Sequence, residues 1–202
     1  MNQSWRSTIR TIWTGIRIMV VFTILLGVVY PLIMTAIGQV VFPWQANGST
    51  LTNQDGQVVG SVLIGQSFLD AAGQPLPQYF QPRPSAHDYD TAGAGASNLG
   101  PEDPRLLDAI AARRLAVAAF NGVPPADVPP DAVTASASGL DPDISPAYAA
   151  IQIARVAASR GLPVDTVTDL VARHTLGPDL GYLGQTRVNV VELNLALDQL
   201  PV

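Results

Sequence analysis

The chain has 202 residues, of which 48% are apolar and 13% charged, and its formal net charge is −5. This length suits one ordinary domain plus an appendage. All 11 basic residues are arginine and cysteine is absent, which excludes disulfide frameworks, thiol nucleophiles, cysteine-ligated metals, P-loops and lysine-based catalysis. The negative charge argues against a nucleic-acid-binding protein.

The charge is unevenly distributed along the chain. Residues 1–17 carry Arg6, Arg10 and Arg17 and no acid, a charge of +3. The next charged residue is Asp55, and from there onward 8 arginines face 16 acids, a charge of −8. Cytoplasmic flanks of membrane helices carry an excess of Lys and Arg. We therefore predict that 1–17 is a basic, cytoplasmic N-terminus.

An uncharged run of 25 residues follows at 18–42. About 20 apolar residues cross a hydrocarbon core of roughly 30 Å, which predicts one transmembrane helix over 18–42 and an extracytoplasmic domain over 43–202. The competing interpretation is a cleaved secretory signal with Ala36-Ile37-Gly38 as a weak cleavage site. The apolar region of such a signal spans only about 7–15 residues, so a retained anchor is favoured.

Small or polar residues recur every four positions within this run and form a stripe on the predicted helix. The stripe consists of Thr23, Gly27, Pro31, Thr35 and Gln39. Small residues let another helix approach closely, and hydroxyl and amide groups can bond across the contact. A partner helix is the favoured interpretation, although these residue types are common in membrane helices. Pro31 cannot donate to the carbonyl of Gly27, so we expect a kink or a local loosening there.

The pattern of residues 43–202, after the apolar run, predicts short strands among many turns. Val58–Ile64 is an apolar, partly β-branched run after a turn at 53–56, and it predicts a buried strand. Residues 65–101 show little periodicity and predict a long series of loops. Val133–Ser138 alternates and predicts a short strand.

Capping signals predict the helices of this part. Asp103-Pro104 begins a helix that stops near Asn121-Gly122, and Ser145-Pro146 begins a second that ends at Gly161. Val164–His174 predicts a third helix from its period and charge placement. Arg187–Asp198 is ambiguous: Val191–Leu197 alternates like a strand, but Asn189 and Glu192 form a capping box, which favours a helix. The predicted fold class is a single N-terminal transmembrane α-helix plus an α+β extracytoplasmic domain, with helices packed on a small sheet.

Candidate catalytic residues are few. His87 and His174 are the two histidines, and no G-x-S-x-G motif occurs, so a serine hydrolase is disfavoured. Asp141–Ser145 resembles the start of a calcium loop, but Pro146 and Gln152 occupy positions that need Gly and Glu. We therefore predict no catalytic residue and no metal site.

Several strings in order carry a resemblance to a known family. They are Tyr30-Pro31-Leu32, FPWQANGS at 42–49, GSVLIGQSF at 60–68, YFQPRPSAHDYD at 79–90, SNLGP at 97–101, TASASGLDPDISPAYAAIQIARVA at 134–157 and RVNVVELNLALD at 187–198. Together they resemble the C subunit of the Kdp potassium-transporting ATPase, the KdpC family, over nearly the whole chain. The outer-domain residues within these motifs are Gln45, Asn47, Gly48, Arg83, Pro84, Ser97, Asn98, Asp141, Pro142, Ser145, Gln152, Arg155, Asn189 and Asn194.

The resemblance implies a non-catalytic accessory subunit of a bacterial inner-membrane complex that imports potassium with ATP. It implies three partners besides the lipid bilayer: a channel-like potassium-binding subunit, a P-type ATPase pump subunit and a small single-helix subunit. Potassium would be carried by partners, and no cofactor is expected on this chain. The family is also described as a catalytic chaperone that raises the ATP affinity of the pump subunit, so ATP would act through that subunit.

Two questions stay open at this point. A membrane-anchored extracytoplasmic adaptor or hydrolase, unrelated to potassium transport, is the alternative function. The charge of −8 after Asp55 suggests the hypothesis that the outer domain raises the local cation concentration at a channel mouth, an effect that salt screens. Ordinary acidic solubility explains the same charge.

Overall fold

A computed structural model describes residues 3–200, and within that range it describes the side chains of all residues except Gln3, Ser4 and Arg6. The outermost ends of the predicted segments 1–17 and 43–202 therefore lie outside the described residues. The described chain divides into two compact units, residues 1–49 and 50–202.

The first unit is built around one long helical rod. It comprises α1 (Gln3–Ile24), a π-helical turn (Leu25–Val29), α2 (Tyr30–Val41) and the short α3 (Pro43–Ala46). The stretch Ser7–Val41 spans 35 residues and contains a segment apolar enough to cross a membrane, none of which is buried. An apolar helix with no protein around it needs another apolar environment.

The helix is loosened next to Pro31, as the sequence predicts. The backbone N–H of Tyr30 donates to the carbonyl of Leu25, five residues earlier, which is the bonding pattern of a π-helix. The ring of Pro31 cannot donate to Gly27 and crowds its carbonyl. The adjacent turn is therefore wider, while the rod stays helical on both sides.

The second unit begins with a hairpin of β1 (Thr50–Thr52) and β2 (Val58–Ser61), which pair antiparallel. The prediction of a buried strand over Val58–Ile64 is wrong in length and in burial. The strand ends at Ser61, whose hydroxyl accepts from the N–H of Leu63 and starts a turn. Val58 is 64% exposed, because a two-stranded ribbon with no covering layer leaves one side open.

Three predicted helices are confirmed. They are α4 (Pro104–Asn121), α5 (Pro146–Arg160) and α6 (Val164–Arg173). Asp103 accepts a bond from the N–H of Arg105, and Ser145 accepts one from the N–H of Tyr148. Both α4 and α5 end on a glycine with φ of +66°, the left-handed conformation that glycine adopts without strain.

A second sheet joins β3 (Asp143–Ile144), β5 (Arg187–Asn189) and β4 (Thr175–Leu176), with β5 in the middle and both pairings antiparallel. The last helix, α7 (Val190–Asp198), starts directly after β5. The ambiguous 187–198 segment therefore begins as a short strand, and the predicted helix is confirmed for the rest.

The predicted strand over Val133–Ser138 is wrong, since this segment forms a turn and bends after a 3₁₀ turn at Pro130–Ala132. The Ser136 hydroxyl accepts from the N–H of Gly139, and the Ser138 hydroxyl accepts from the N–H of Leu140. Within the predicted strand, the N–H groups of Val133 and Thr134 donate to the carbonyl of Pro130 at 3.2 and 3.1 Å, so they belong to a local turn and do not serve a strand ladder.

The hydrophobic core of the second unit lies between α5, α6, α7 and the central strand β5. The side chains with no exposed surface include Phe80, Val156, Val167, Val188 and Leu193. Phe80 comes from a loop, so a segment without regular structure contributes to the centre of the core. Helices on small sheets make this an α+β unit, as predicted.

Candidate functional site: a clamped loop and an apolar helix

Two buried amide side chains hold the main chain of the loop segment Pro77–Gln81, here called the clamped segment. Asn194 accepts from the N–H of Phe80 and donates to its carbonyl, both at 2.9 Å. Gln152 does the same for Gln81, accepting at 2.7 Å and donating at 3.1 Å. Each amide therefore satisfies one donor and one acceptor that burial would otherwise leave unpaired.

Arg155 binds the same segment from the next turn of α5. Its guanidinium donates to the carbonyls of Pro77 and Tyr79, to Asn121 Oδ1 at 2.9 Å and to Gln152 Oε1 at 2.8 Å. It also lies 4.3 Å from the centre of the Phe120 ring. Burial lowers the pKa of Arg155 to about 10, so the group stays charged at neutral pH. A charged group held by this many acceptors is a cross-link between α4, α5 and the loop.

The other side of the segment is held by Arg160. Its Nε donates to the carbonyl of Gln78 at 2.7 Å, and its terminal nitrogen pairs with Asp198 at 2.7 Å. The Tyr79 hydroxyl donates to the second oxygen of Asp198 at 3.1 Å, and the Arg160 guanidinium lies over the Tyr79 ring at 4.8 Å. Burial, and then the charge of Asp198, raise the pKa of Tyr79. Sequence reasoning missed this cluster, and the adjacent Tyr79-Phe80 pair is the signal that could have indicated it.

A second polar cluster surrounds Arg83. The guanidinium pairs with Asp141 at 3.0 Å, and the carbonyl of Arg83 accepts from the Tyr89 hydroxyl at 2.8 Å. Among the residues that the structure describes, Arg83 Nε is the one buried side-chain nitrogen or oxygen atom without a partner. Burial, and then the charge of Asp141, raise the pKa of Asp143, which contacts Arg187 at 3.2 Å.

Cap residues complete this second cluster. Asp131 accepts from both the N–H and the hydroxyl of Ser145, at 2.7 and 2.8 Å. The carbonyl of Pro142 accepts from the N–H of Val190, where α7 begins. Asn189 Oδ1 accepts from two N–H groups of α7, and its Nδ2 donates to the carbonyl of Val62 at 2.8 Å. These residues fasten the loops to the start of two helices.

The remaining predicted residues do not join these clusters. Ser97 and Asn98 are exposed in the 65–101 loop series, and Pro84 is half-buried beside Arg83. Gln45, Asn47 and Gly48 lie in the first unit.

Gln39, near the end of α2, pairs through its side-chain amide with Asn47, which follows α3. Asn47 Nδ2 donates to Gln39 Oε1 at 3.0 Å and to the carbonyl of Pro43 at 2.6 Å. The last polar member of the predicted stripe is thus bonded to its own chain. The other four stripe residues are exposed on the helix.

The two histidines occupy a helix end and an exposed loop. His174 caps α6, with Nδ1 at 2.9 Å from the carbonyl of Leu170, and His87 is an exposed loop residue. Across residues 3–200, no group of three or more His, Asp or Glu side chains is arranged to hold a metal ion. The polar residues gathered around the clamped segment bind its main chain and hold this loop in place.

Comparison with known proteins gives the family. A family model described as KdpC: K+-transporting ATPase, c chain, matches residues 12–199. The chain is 52% identical over 199 residues to the potassium-transporting ATPase KdpC subunit of Kineococcus radiotolerans, covering 98% of this chain and 97% of the relative. The protein of the same description from Streptomyces coelicolor is 44% identical over 219 residues, covering 99% and 97%. That from Methylococcus capsulatus is 51% identical over 185 residues, covering 90% and 94%.

The match runs from the apolar helix of the first unit to the end of α7. It therefore includes most of the apolar helix and both clusters that fasten the loops of the second unit. The resemblance seen in the ordered motifs is confirmed, and the chain belongs to the KdpC family, the c chain of the K+-transporting ATPase.

Proposed function

We propose that the chain is a non-catalytic accessory subunit of an ATP-driven potassium import complex, anchored in the cell membrane by its first unit. One observation carries the proposal. In a chain 52% identical to a potassium-transporting ATPase KdpC subunit, the helical stretch Ser7–Val41 contains an apolar segment long enough to cross a membrane, and none of that segment is buried. Such a helix is stable when lipid or other membrane helices surround it.

The proposed orientation places the N-terminus in the cytoplasm and the second unit outside it. Support comes from the arginines, which precede the apolar run and do not recur until Arg83. The Arg17 guanidinium also lies 5.7 Å from the centre of the Trp13 ring. Tryptophan and arginine together are typical of the boundary between lipid and water.

The proposed partners are a channel-like potassium-binding subunit, a P-type pump subunit and a small single-helix subunit. The residues of this chain supply neither a potassium filter sequence nor a phosphate-binding loop. Transport and ATP hydrolysis are therefore assigned to the partners, together with binding of potassium and ATP. The role of this subunit is to stabilise their assembly.

The stripe of Thr23, Gly27, Pro31 and Thr35 is the proposed contact with a partner helix. A spacing of four residues overshoots one turn of an α-helix, which has 3.6 residues per turn. It falls short of one turn in a π-helix, whose bonds run from residue i to residue i+5. The π-helical turn Leu25–Val29 therefore counteracts the drift of the stripe, which supports one continuous contact face.

Raising the ATP affinity of the pump subunit is a further part of the proposal. With the second unit outside the cytoplasm, such an effect has to pass through the membrane helices. It requires this subunit to bind two states of the pump with different affinities. A coupling of this kind acts in both directions, so ATP should change the affinity of the pump for this subunit by the same factor.

Co-purification in mild detergent tests the assembly. Tagged wild-type chain should retain a P-type ATPase and a channel-like protein, and their loss from the purified material would overturn the proposal. The alternative functions give other outcomes. A hydrolase would lose activity when His87 or His174 is changed to Ala, and an adaptor would purify without the pump.

The absence of cysteine from the chain permits a clean test of orientation. Two single-cysteine variants, Ser7→Cys and Ala112→Cys, are treated in intact cells with a maleimide that cannot cross membranes. Ala112 is exposed on α4, so labelling is expected there and not at position 7 until the membrane is opened. The reverse pattern would contradict the proposed orientation.

A further inference from the structure

A cavity of about 520 Å³ in the second unit is lined by one face of α4, by the loops that precede it and by Tyr148 of α5. The α4 residues have the spacing of one helix face, and they are Arg113, Ala116, Val117 and Phe120. The loops contribute mainly apolar residues: Leu69, Pro75, Pro82 and Pro84. Pockets that hold small molecules have this size and this mixture of an apolar lining with a few polar groups.

Tyr148 lines the cavity with a hydroxyl that the protein leaves unsatisfied. The residue is only 3% exposed, and its main-chain N–H caps α5 on Ser145. Its hydroxyl has no hydrogen-bond partner among residues 3–200, although buried tyrosines usually have one. The hydroxyl keeps a little accessible surface, unlike the fully buried Nε of Arg83. A ligand in the cavity can therefore accept a bond from it.

The cavity lining is positively charged, in a unit that is otherwise acidic. Of the charged residues that line it, two are Arg83 and Arg113 and one is the exposed Asp88, whereas the sequence after the apolar run carries −8. Arg113 donates to the carbonyl of Val133 at 3.2 Å and has no carboxylate partner among residues 3–200. Arg83 pairs with Asp141, but its Nε has no acceptor. The unsatisfied groups are donors, so the complementary ligand group is an acceptor, and an anion suits it best.

The loop wall of the cavity is strained and firmly held. Asp88 and Tyr89 have φ of +50° and +62°, left-handed values that are costly for residues with a Cβ. The Ser85 hydroxyl accepts from the N–H of Tyr89 at 3.1 Å and donates to the carbonyl of Gly139 at 2.7 Å, and the Tyr89 hydroxyl donates to the carbonyl of Arg83 at 2.8 Å. Strain of this kind clusters at ligand clamps. A wall fixed by these bonds can receive a ligand without rearrangement, which lowers the entropy lost on binding.

We propose that this cavity binds a small organic anion with one carboxylate or phosphate head group on an apolar body. The head group accepts from the Arg113 guanidinium and the Tyr148 hydroxyl, and the body packs against Val117 and Phe120. An arginine without a carboxylate partner is suited to either head group, because its planar donors match both geometries. The inference goes beyond the proposed function and does not need the partner subunits.

Protection of a single cysteine measures binding to the full-length chain, which has no cysteine of its own. Ala116→Cys places a thiol on the cavity lining, and Ala112→Cys, one turn earlier and outside the lining, is the matched control. Both positions are exposed. Maleimide labelling in detergent is followed at rising concentrations of 4-phenylbutyrate or of phenylphosphonate. These anions should slow labelling of Ala116→Cys only, and neutral 4-phenylbutanol should need about tenfold higher concentrations for the same protection.

Two adjacent arginines on α4 provide a matched test of the charge. Arg113 lines the cavity, whereas Arg114 is exposed and does not. In the Ala116→Cys chain, Arg113→Gln should raise the concentration of 4-phenylbutyrate that halves the labelling rate about tenfold, and Arg114→Gln should leave it unchanged.

Tyr148→Phe tests the hydroxyl separately from the fold. It should weaken protection by 4-phenylbutyrate about tenfold. The melting temperature without ligand should stay the same or rise, because the hydroxyl has no partner within the described chain. A lower melting temperature with unchanged protection would overturn the role assigned to this hydroxyl.

The other outcomes are equally decisive. Whichever anion protects at the lower concentration identifies the head group, and protection by neither overturns the inference. Equal protection by 4-phenylbutanol would overturn it as well, because the cavity would then be an apolar site that does not recognise an anion. Equal weakening by Arg113→Gln and Arg114→Gln would reduce the effect to general surface charge, and unchanged protection in both Arg113→Gln and Tyr148→Phe would place the ligand elsewhere.

Discussion

The side-chain amide of Gln152 pairs with the main chain of Gln81 through two hydrogen bonds, 2.7 Å from the N–H and 3.1 Å to the carbonyl. The two residues are 71 positions apart, and Gln152 has no exposed surface. The two hydrogen bonds resemble those between paired residues of neighbouring β-strands, except that the side-chain amide of Gln152 replaces the main chain of one strand. It explains how a loop without regular structure can place Phe80 in the core.

We expect Gln152→Leu to lower the free energy of unfolding by about 3 kcal/mol. The substitution leaves a buried N–H and a buried carbonyl of Gln81 unpaired, and each costs about 1–3 kcal/mol. Urea unfolding of the full-length chain in detergent measures the change. Ser97→Ala, at an exposed loop position, is the control and should stay within about 0.5 kcal/mol of wild type. An equally small effect of Gln152→Leu would contradict the role of the clamp.

The elements that could be predicted from the sequence are those set by local interactions. The side chains of three capping residues, Asp103, Ser145 and Asn189, accept bonds from N–H groups two or three residues later in the chain. Each capping residue and its partner therefore lie within one helical turn. The glycines that end α4 and α5 act at equally short range. The length of the apolar run likewise predicted the long helix of the first unit, and the position of Pro31 predicted where that helix is loosened.

The parts that could not be predicted depend on distant partners. Asn194 and Phe80 are 114 residues apart, and no periodicity links an amide on α7 to a loop carbonyl. The family motifs did indicate Gln152, Arg155 and Asn194, but only the structure brings them to the same loop. The strand predicted over Val133–Ser138 is wrong because the N–H groups of Val133 and Thr134 donate to the carbonyl of Pro130 in a local turn.

A pair of substitutions at Asn189 should separate its two roles. Asn189→Ala removes the cap of α7 and the bond to the carbonyl of Val62, and we expect a loss of about 2 kcal/mol. Asn189→Ser keeps a cap acceptor without a buried charge and loses the bond to Val62, so about half of that loss is expected. Thermal or urea unfolding measures both variants. Equal losses would mean that the cap contributes little.

Stability should fall as the pH rises above about 10. Burial, and then the charge of Asp141, raise the pKa of Tyr89, and burial raises that of Tyr148. An unfolded tyrosine loses its proton near pH 10, so above that pH the unfolded state binds fewer protons than the folded state and stability decreases. Arg155 acts in the opposite direction, because its folded pKa of about 10 lies below that of an unfolded arginine. The two tyrosines outweigh this single arginine.

Tyr89→Phe tests this pH dependence. The free energy of unfolding, measured between pH 9 and pH 12, should fall less steeply in the variant than in wild type. At pH 7 the variant should be about 1 kcal/mol less stable, because the bond from the Tyr89 hydroxyl to the carbonyl of Arg83 is lost. Parallel curves for the two proteins would exclude Tyr89 as a source of the alkaline fall.

Gly27→Leu should loosen the complex while membrane insertion stays intact. A Cβ added at Gly27 meets nothing within 4 Å, so the chain itself leaves open space where the substituted side chain begins. The matched control is Gly15→Leu in the same rod, where a Cβ also meets nothing within 4 Å and which lies outside the stripe. Retention of the ATPase subunit in detergent and the membrane fraction of the chain are measured together. We expect about tenfold weaker retention for Gly27→Leu alone, whereas equal retention of both variants would show that the stripe faces lipid.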